Sequence, residues 1–159
     1  YTSLEYLRII EKLKNARADI VFSSDIIIGF PGETEQAFKN TLDLVDKVNY
    51  SQAYSFKYSR RPGTPGSIMK GQVAESIKSE RLLKLQEILY AQQLNFNRAF
   101  IGKSIEVLIE RRKKTNQLVG KSSYMQAVHL IEDNYDIGDI LNVKVFDADK
   151  NSLKGEAIQ

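Results

Sequence analysis

The sequence predicts two segments in series, an α/β portion over residues 1–99 and a small all-β barrel over residues 100–159. Three observations carry this prediction. Helical and extended patterns alternate through the first 58 residues, as in a βα-wound sheet. Beyond Ile101 the apolar residues recur every second position in short runs, the period of half-buried strands. Between these textures, the loop Gly29-Phe30-Pro31-Gly32-Glu33-Thr34 ends the most apolar run of the chain and opens a helix.

In order, Thr2 or Ser3 caps a first helix with Leu4, Leu7, Ile10 and Leu13 on one stripe. Ile20 to Phe30, interrupted by Ser23, Ser24 and Asp25, reads as a parallel strand buried on both faces. Thr34 caps a second helix that turns Phe38, Leu42, Val45 and Val48 inward. Ala53 to Tyr58 is an aromatic-rich strand with Tyr54, Phe56 and Tyr58 on one side. Arg60 to Gly66, with two prolines and two glycines, breaks the pattern. A long helix then spans about Val73 to Ala99, with Ile77, Leu82, Leu85, Leu89 and Phe96 at helical intervals. Five short strands follow, near 103–111, 118–122, 127–130, 140–146 and 153–158. With polar turns between them, they predict a closed five-stranded barrel of the oligonucleotide-binding kind.

Composition narrows the chemistry. There is no cysteine, so these residues hold no disulfide, thiolate nucleophile or Cys-ligated metal cluster, and the single His129 builds no His-rich metal site. No catalytic residue and no metal ligand stands out. No apolar run approaches the roughly 18–20 residues that span a bilayer, and no signal-peptide pattern opens the chain. A cytoplasmic location without membrane contact is therefore expected. The chain opens on Tyr1 rather than Met, one residue from a helix cap, which leads us to expect further sequence upstream.

The net charge of +3 is unevenly spread. Lys103, Arg111, Arg112, Lys113, Lys114 and Lys121 face only Glu106 and Glu110, whereas Glu132, Asp133, Asp136, Asp139, Asp147 and Asp149 face Lys144 alone. Such a basic run suits a phosphate backbone, and equally a solvated loop tip. The acidic run would avoid RNA.

A glycine-containing turn from strand to helix is a common ligand position in α/β proteins. The chain has neither a Gly-x-Gly-x-x-Gly nor a Walker-type lysine. Glu33 and Glu35 beside the helix N-terminus complement its dipole and disfavour an anion there, so a neutral or cationic ligand fits better. Ser24-Asp25-Ile26-Ile27-Ile28-Gly29-Phe30-Pro31-Gly32-Glu33-Thr34 resembles the late-strand motif of radical S-adenosylmethionine enzymes. It departs from the general pattern, which has glycine where Asp25 stands. Tyr58-Ser59-Arg60-Arg61-Pro62-Gly63-Thr64-Pro65 is similar to the methylthiotransferase branch of that superfamily. Members of this branch end in a TRAM domain, a small RNA-binding barrel. Ile101-Gly102-Lys103 and Val119-Gly120-Lys121-Ser122 resemble its first two strands.

The resemblance covers essentially the whole chain. It implies the C-terminal part of a radical-SAM partial (βα) barrel followed by an OB-like TRAM barrel. It also implies S-adenosylmethionine as cofactor and two 4Fe–4S clusters, whose cysteines this chain lacks. The earlier barrel strands would be missing too, so residues 1–99 would not cover their own sheet. The chain alone is expected to be inactive, with the activity belonging to a longer enzyme that includes its N-terminal domains. Within the branch, members that modify a ribosomal protein typically carry an acidic, proline-containing segment where this chain reads Ser123 to Leu130. That favours the tRNA-acting members, those that add a methylthio group to an isopentenylated adenosine beside the anticodon. Members acting on threonylcarbamoyl-adenosine or on a ribosomal protein, and a free-standing RNA-binding module, are the alternatives.

The resemblance also distributes roles. Asp25 would meet a cofactor hydroxyl or amino group, or a neighbouring loop amide. Ile27, Ile28 and Gly29 would form an adenine wall, or simply core. Arg61 suits a methionyl carboxylate or an RNA phosphate. Lys103, Arg111, Arg112, Lys113, Lys114 and Lys121 would grip the backbone of a tRNA anticodon stem-loop, and Tyr124 would stack on an unpaired base. His129 is expected to be structural.

Overall fold

The computed structural model describes residues 2–131 and 134–158. The chain divides into two compact units, Tyr1–Gln92 and Gln93–Gln159, with the dividing line inside a long helix.

The first unit runs α1 (Ser3–Ala16), β1 (Ser23–Ile28), α2 (Glu35–Val48), β2 (Gln52–Lys57), α3 (Pro65–Ile68) and the start of α4 (Glu75–Arg98). Thr2 caps α1 through a capping box: its side chain accepts from Glu5 N, and the Glu5 carboxylate accepts from Thr2 N at 2.6 Å. Thr34 caps α2 by accepting from Ala37 N, and Asn49 closes the helix in the left-handed region. β1 and β2 are parallel, with Asp25 opposite Tyr54 and Ile27 opposite Phe56. Ile10, Ile28, Phe38, Val45, Val48, Leu85 and Leu89 form the core on the inner face of this pair. Gln92 is buried beside them, donating to Val45 O and accepting from Tyr50 N, so it satisfies backbone groups at the end of α2.

Two expectations change here. β1 is covered on one face only: Ile27 is 59% exposed, and Tyr54 and Phe56 are 58% and 51% exposed beside it. The run reads as doubly buried because isoleucine fills both sides. Among the described residues, however, the sheet has two strands and its second face carries no layer. The aromatic side of β2 is therefore surface. Ile77, assigned to the inner stripe of α4, is also exposed. α3, in the segment read as a break, is a single turn begun by Pro65 behind Thr64.

The second unit contains the C-terminal end of α4 and five strands: β3 (Ser104–Arg112), β4 (Leu118–Ser122), β5 (Ala127–Leu130), β6 (Ile140–Ala148) and β7 (Ser152–Ala157). They close into a barrel in the order β3-β4-β5-β7-β6, with β5 and β7 parallel and the other pairs antiparallel. Val107, Ile109, Leu118, Val128, Leu130, Val143, Val145 and Leu153 fill its interior, the inward half of each alternating strand. Gly120 sits where a Cβ would strike the Leu108 carbonyl oxygen and the Val107 side chain, so the tight wall there requires glycine. The α/β-plus-barrel class and all five strands are thus found as the alternation predicts.

Candidate cofactor groove and nucleic-acid interface

The uncovered face of β1 and β2 forms one side of an open groove of about 840 Å³, lined by Asp25, Ile27, Phe30, Phe56, Tyr58 and Arg61 among others. The structure therefore gathers three of the five residues assigned to the cofactor: Asp25, Ile27 and Arg61. Strand alternation explains the first two, since positions 25 and 27 share a face. Phe30 meets Tyr58 edge-on, with ring centroids 5.0 Å apart. The Tyr58 hydroxyl is buried without a hydrogen-bond partner.

The same alternation removes Ile28, whose side chain is fully buried in the core on the opposite face. Gly29 also has a different reason to be glycine. Its φ of 74° lies in the left-handed region, and the aliphatic stem of Lys78 presses where a Cβ would stand. What approaches Gly29 closely here is the protein's own lysine.

The glutamates of the loop are likewise engaged. Glu33 accepts from Gly29 N at 2.9 Å and pairs with Arg81 at 2.6 Å, both side chains nearly buried; Arg81 also reaches Glu35 at 3.2 Å. Arg81 stacks over Phe38 as well, 5.3 Å from the ring centroid. The acid charge that argued against an anion is thus answered by an arginine the sequence reading passed over. Its signal was positional: Arg81, Leu85, Leu89 and Gln92 follow helical spacing, so a polar residue on that stripe needed a buried partner. At the mouth of α4, Glu75 bridges Lys57 and Lys78. The hydrogen bonds from Lys57 and then Lys78 hold its carboxyl down at about 2.

On the barrel, the six basic residues do not form one patch. Arg111, Arg112, Lys113 and Lys114 cluster at the β3–β4 hairpin, whose turn is closed by Lys113 N donating to Gln117 O. Lys103 lies at the other end of β3, roughly 25 Å away at about 3.3 Å per residue. Lys121 donates to Met125 O within its own turn. The Arg112 guanidinium donates to Tyr135 O at 2.8 Å, a structural use. Tyr124 is half-buried against Phe96 and Phe100, at 6.0 and 5.5 Å between centroids, which gives its ring a packing role in place of a free stacking face. Of the acidic run, Glu132 and Asp133 lie outside the described residues. Asp147 pairs with Lys154 at 2.8 Å, a lysine outside the basic run.

Beneath Tyr124, Gln126 donates to Asn97 at 2.8 Å and accepts from Ser122, while Asn97 donates to Asp149 O. This buried amide chain ties the end of α4 to the barrel wall. Among the described residues no group of His, Cys, Asp and Glu is placed to hold a metal ion, and no helix is long and apolar enough to cross a membrane.

Residues 98–158 match the TRAM domain family. Over nearly its whole length the chain is similar to proteins named tRNA-2-methylthio-N(6)-dimethylallyladenosine synthase. Identity is 52% with that of Wolbachia pipientis subsp. Culex pipiens (98% of this chain, 36% of the relative) and 53% with that of Ehrlichia canis (98% and 36%). It is 56% with that of Rickettsia bellii (95% and 34%). The chain thus spans about a third of the length of these curated relatives.

Proposed function

We propose, from the premise that this chain belongs to the family of those synthases, that it is the carboxy-terminal part of a tRNA methylthiotransferase acting on an isopentenylated adenosine beside the anticodon. In this reading the β1–β2 groove is one wall of an S-adenosylmethionine site and the barrel holds the tRNA. The observation that carries it is the convergence of Asp25, Ile27 and Arg61 on one groove, within a chain about half identical to such enzymes throughout.

The groove suits the cofactor's chemistry. Asp25 offers acceptors to ribose hydroxyls or an amino group, Ile27 and Phe56 an apolar wall for adenine, and Arg61 a fork for the methionyl carboxylate. Bound there, S-adenosylmethionine would supply the radical chemistry of the family. The 4Fe–4S clusters do not fit these residues, because the chain has no cysteine; their ligands belong to the amino-terminal domains of the longer protein.

The hairpin cations Arg111, Lys113 and Lys114 supply backbone affinity without sequence reading. A cytoplasmic location follows from a tRNA substrate. Expressed with its upstream domains and reconstituted with iron and sulfide, the protein is expected to methylthiolate isopentenylated tRNA, whereas the 159-residue chain yields no 5′-deoxyadenosine. A longer protein that leaves such tRNA unmodified would overturn the reading.

A further inference from the structure

On the outer wall of the barrel, beside the β3–β4 turn, a second concavity of about 320 Å³ is lined by His129, Phe146, Ile131, Asn116, Gln117 and Lys154, among others. Barrel closure makes it. His129 faces outward from β5, one step from the inward Val128 and Leu130. The parallel pairing with β7 sets it opposite Lys154. A bulge in the β6–β7 ladder between Val145 and Asp147 lies at Phe146, which stays 46% exposed.

The chemistry of this hollow is that of a base-binding site. An imidazole and a phenyl ring provide flat apolar faces, Asn116 carries an amide able both to donate and to accept, and Gln117, whose oxygen accepts from Lys113, keeps its amide donors. The surroundings are mixed in charge. Lys113, Arg111 and Lys154 act on His129 against Asp149, whose carboxylate is occupied by Asn151 N and by Ser152. Asp147 is occupied by Lys154. With Asp147 and Lys154 paired to each other, Lys113 and Arg111 stand against Asp149 alone and leave the surroundings net positive. Nδ1 of His129 is buried without a hydrogen-bond partner. Burial, followed by Lys113, also holds the imidazole below its ordinary range. A neutral ring is a stacking surface rather than a point charge. A volume near 320 Å³ is at the small end of the ~300–1,000 Å³ of ligand sites, which matches one planar heterocycle.

We infer that this hollow takes a single unpaired nucleobase of bound RNA, stacked between His129 and Phe146, while the hairpin cations hold the adjacent phosphates. The inference rests on the RNA-binding reading of the barrel and deepens it. It moves the stacking role from Tyr124 to a pair that sequence alone does not bring together.

The full chain is titrated with a short oligoadenylate and with an RNA duplex of equal length, as wild type, His129→Ala, Phe146→Ala and Phe146→Tyr. Circular dichroism checks folding. Loss of one stacking face is expected to weaken oligoadenylate binding by about fivefold to a hundredfold, with duplex binding and the salt slope unchanged and Phe146→Tyr close to wild type. The chain's only imidazole gives a unique proton resonance, which is expected to shift with oligoadenylate and not with duplex. If wild type binds both RNAs and the alanine variants bind oligoadenylate equally well, the base site is wrong and the backbone reading stands. Should wild type bind neither RNA, the RNA-binding reading fails and takes this inference with it.

Discussion

The barrel and the α/β unit solve the same problem to different degrees. In the barrel every strand has two neighbours, the inward residues meet one another, and the apolar interior is complete within 67 residues of chain. In the α/β unit two parallel strands bury one face against α1, α2 and α4, and leave Ile27, Tyr54 and Phe56 on the other. Isoleucine and aromatics on an uncovered sheet face are the mark of a surface meant to be covered. What differs is not the quality of packing but what each surface is for. One unit is a closed body with a hollow on its wall; the other leaves an apolar sheet face open beside a groove.

The comparison breaks most sharply at Arg81. Replacing it with Met keeps much of the volume and leaves Glu33 buried without its cation, so a loss of about 3–5 kcal/mol is expected, read by urea unfolding of the α/β unit. A loss within experimental error would mean that the ion pair does not fasten the loop. Slightly smaller, Leu153→Ala empties part of the barrel interior and is expected to cost about 2–5 kcal/mol. Its counterpart, Phe56→Ser on the open face, is expected to stay within about 0.5 kcal/mol in this chain. A large loss at Phe56 would show that the face is covered after all.

The smallest effect concerns acid. The folded-state pKa of His129 lies below its unfolded value, so as pH falls through the ordinary imidazole range the unfolded chain takes up a proton that the folded barrel resists. Barrel stability should therefore decline on going from about pH 7 to 5, and His129→Gln should flatten that decline in thermal melts. An identical slope in the variant would assign the dependence to other groups.

Local order was legible wherever it depended on neighbours in sequence. Thr2 and Thr34 cap their helices as their positions imply, and two-residue alternation located the two long barrel strands, β3 and β6. Long-range pairing was not. Arg81 and Glu33 are 48 residues apart, and nothing near either announces the other. Tyr124 looked available until Phe96 of α4 and Phe100 in the turn after it came against its ring. Outward strand positions such as His129 and Phe146 carry no periodic signal of their own, because only the order β5-β7-β6 makes them neighbours. Of the groove residues, Asp25 and Ile27 could be foreseen as a pair by alternation. The same rule, applied strictly, would have sent Ile28 to the core.

The most direct test of the account is the Asp25→Asn substitution in the longer, cluster-containing protein, which keeps the side chain's shape and removes its charge. Consumption of S-adenosylmethionine is expected to fall at least about tenfold while tRNA affinity holds, as befits a carboxylate on the cofactor wall. Undiminished turnover at the same cofactor concentration would contradict it, and would remove the β1–β2 face from the cofactor site.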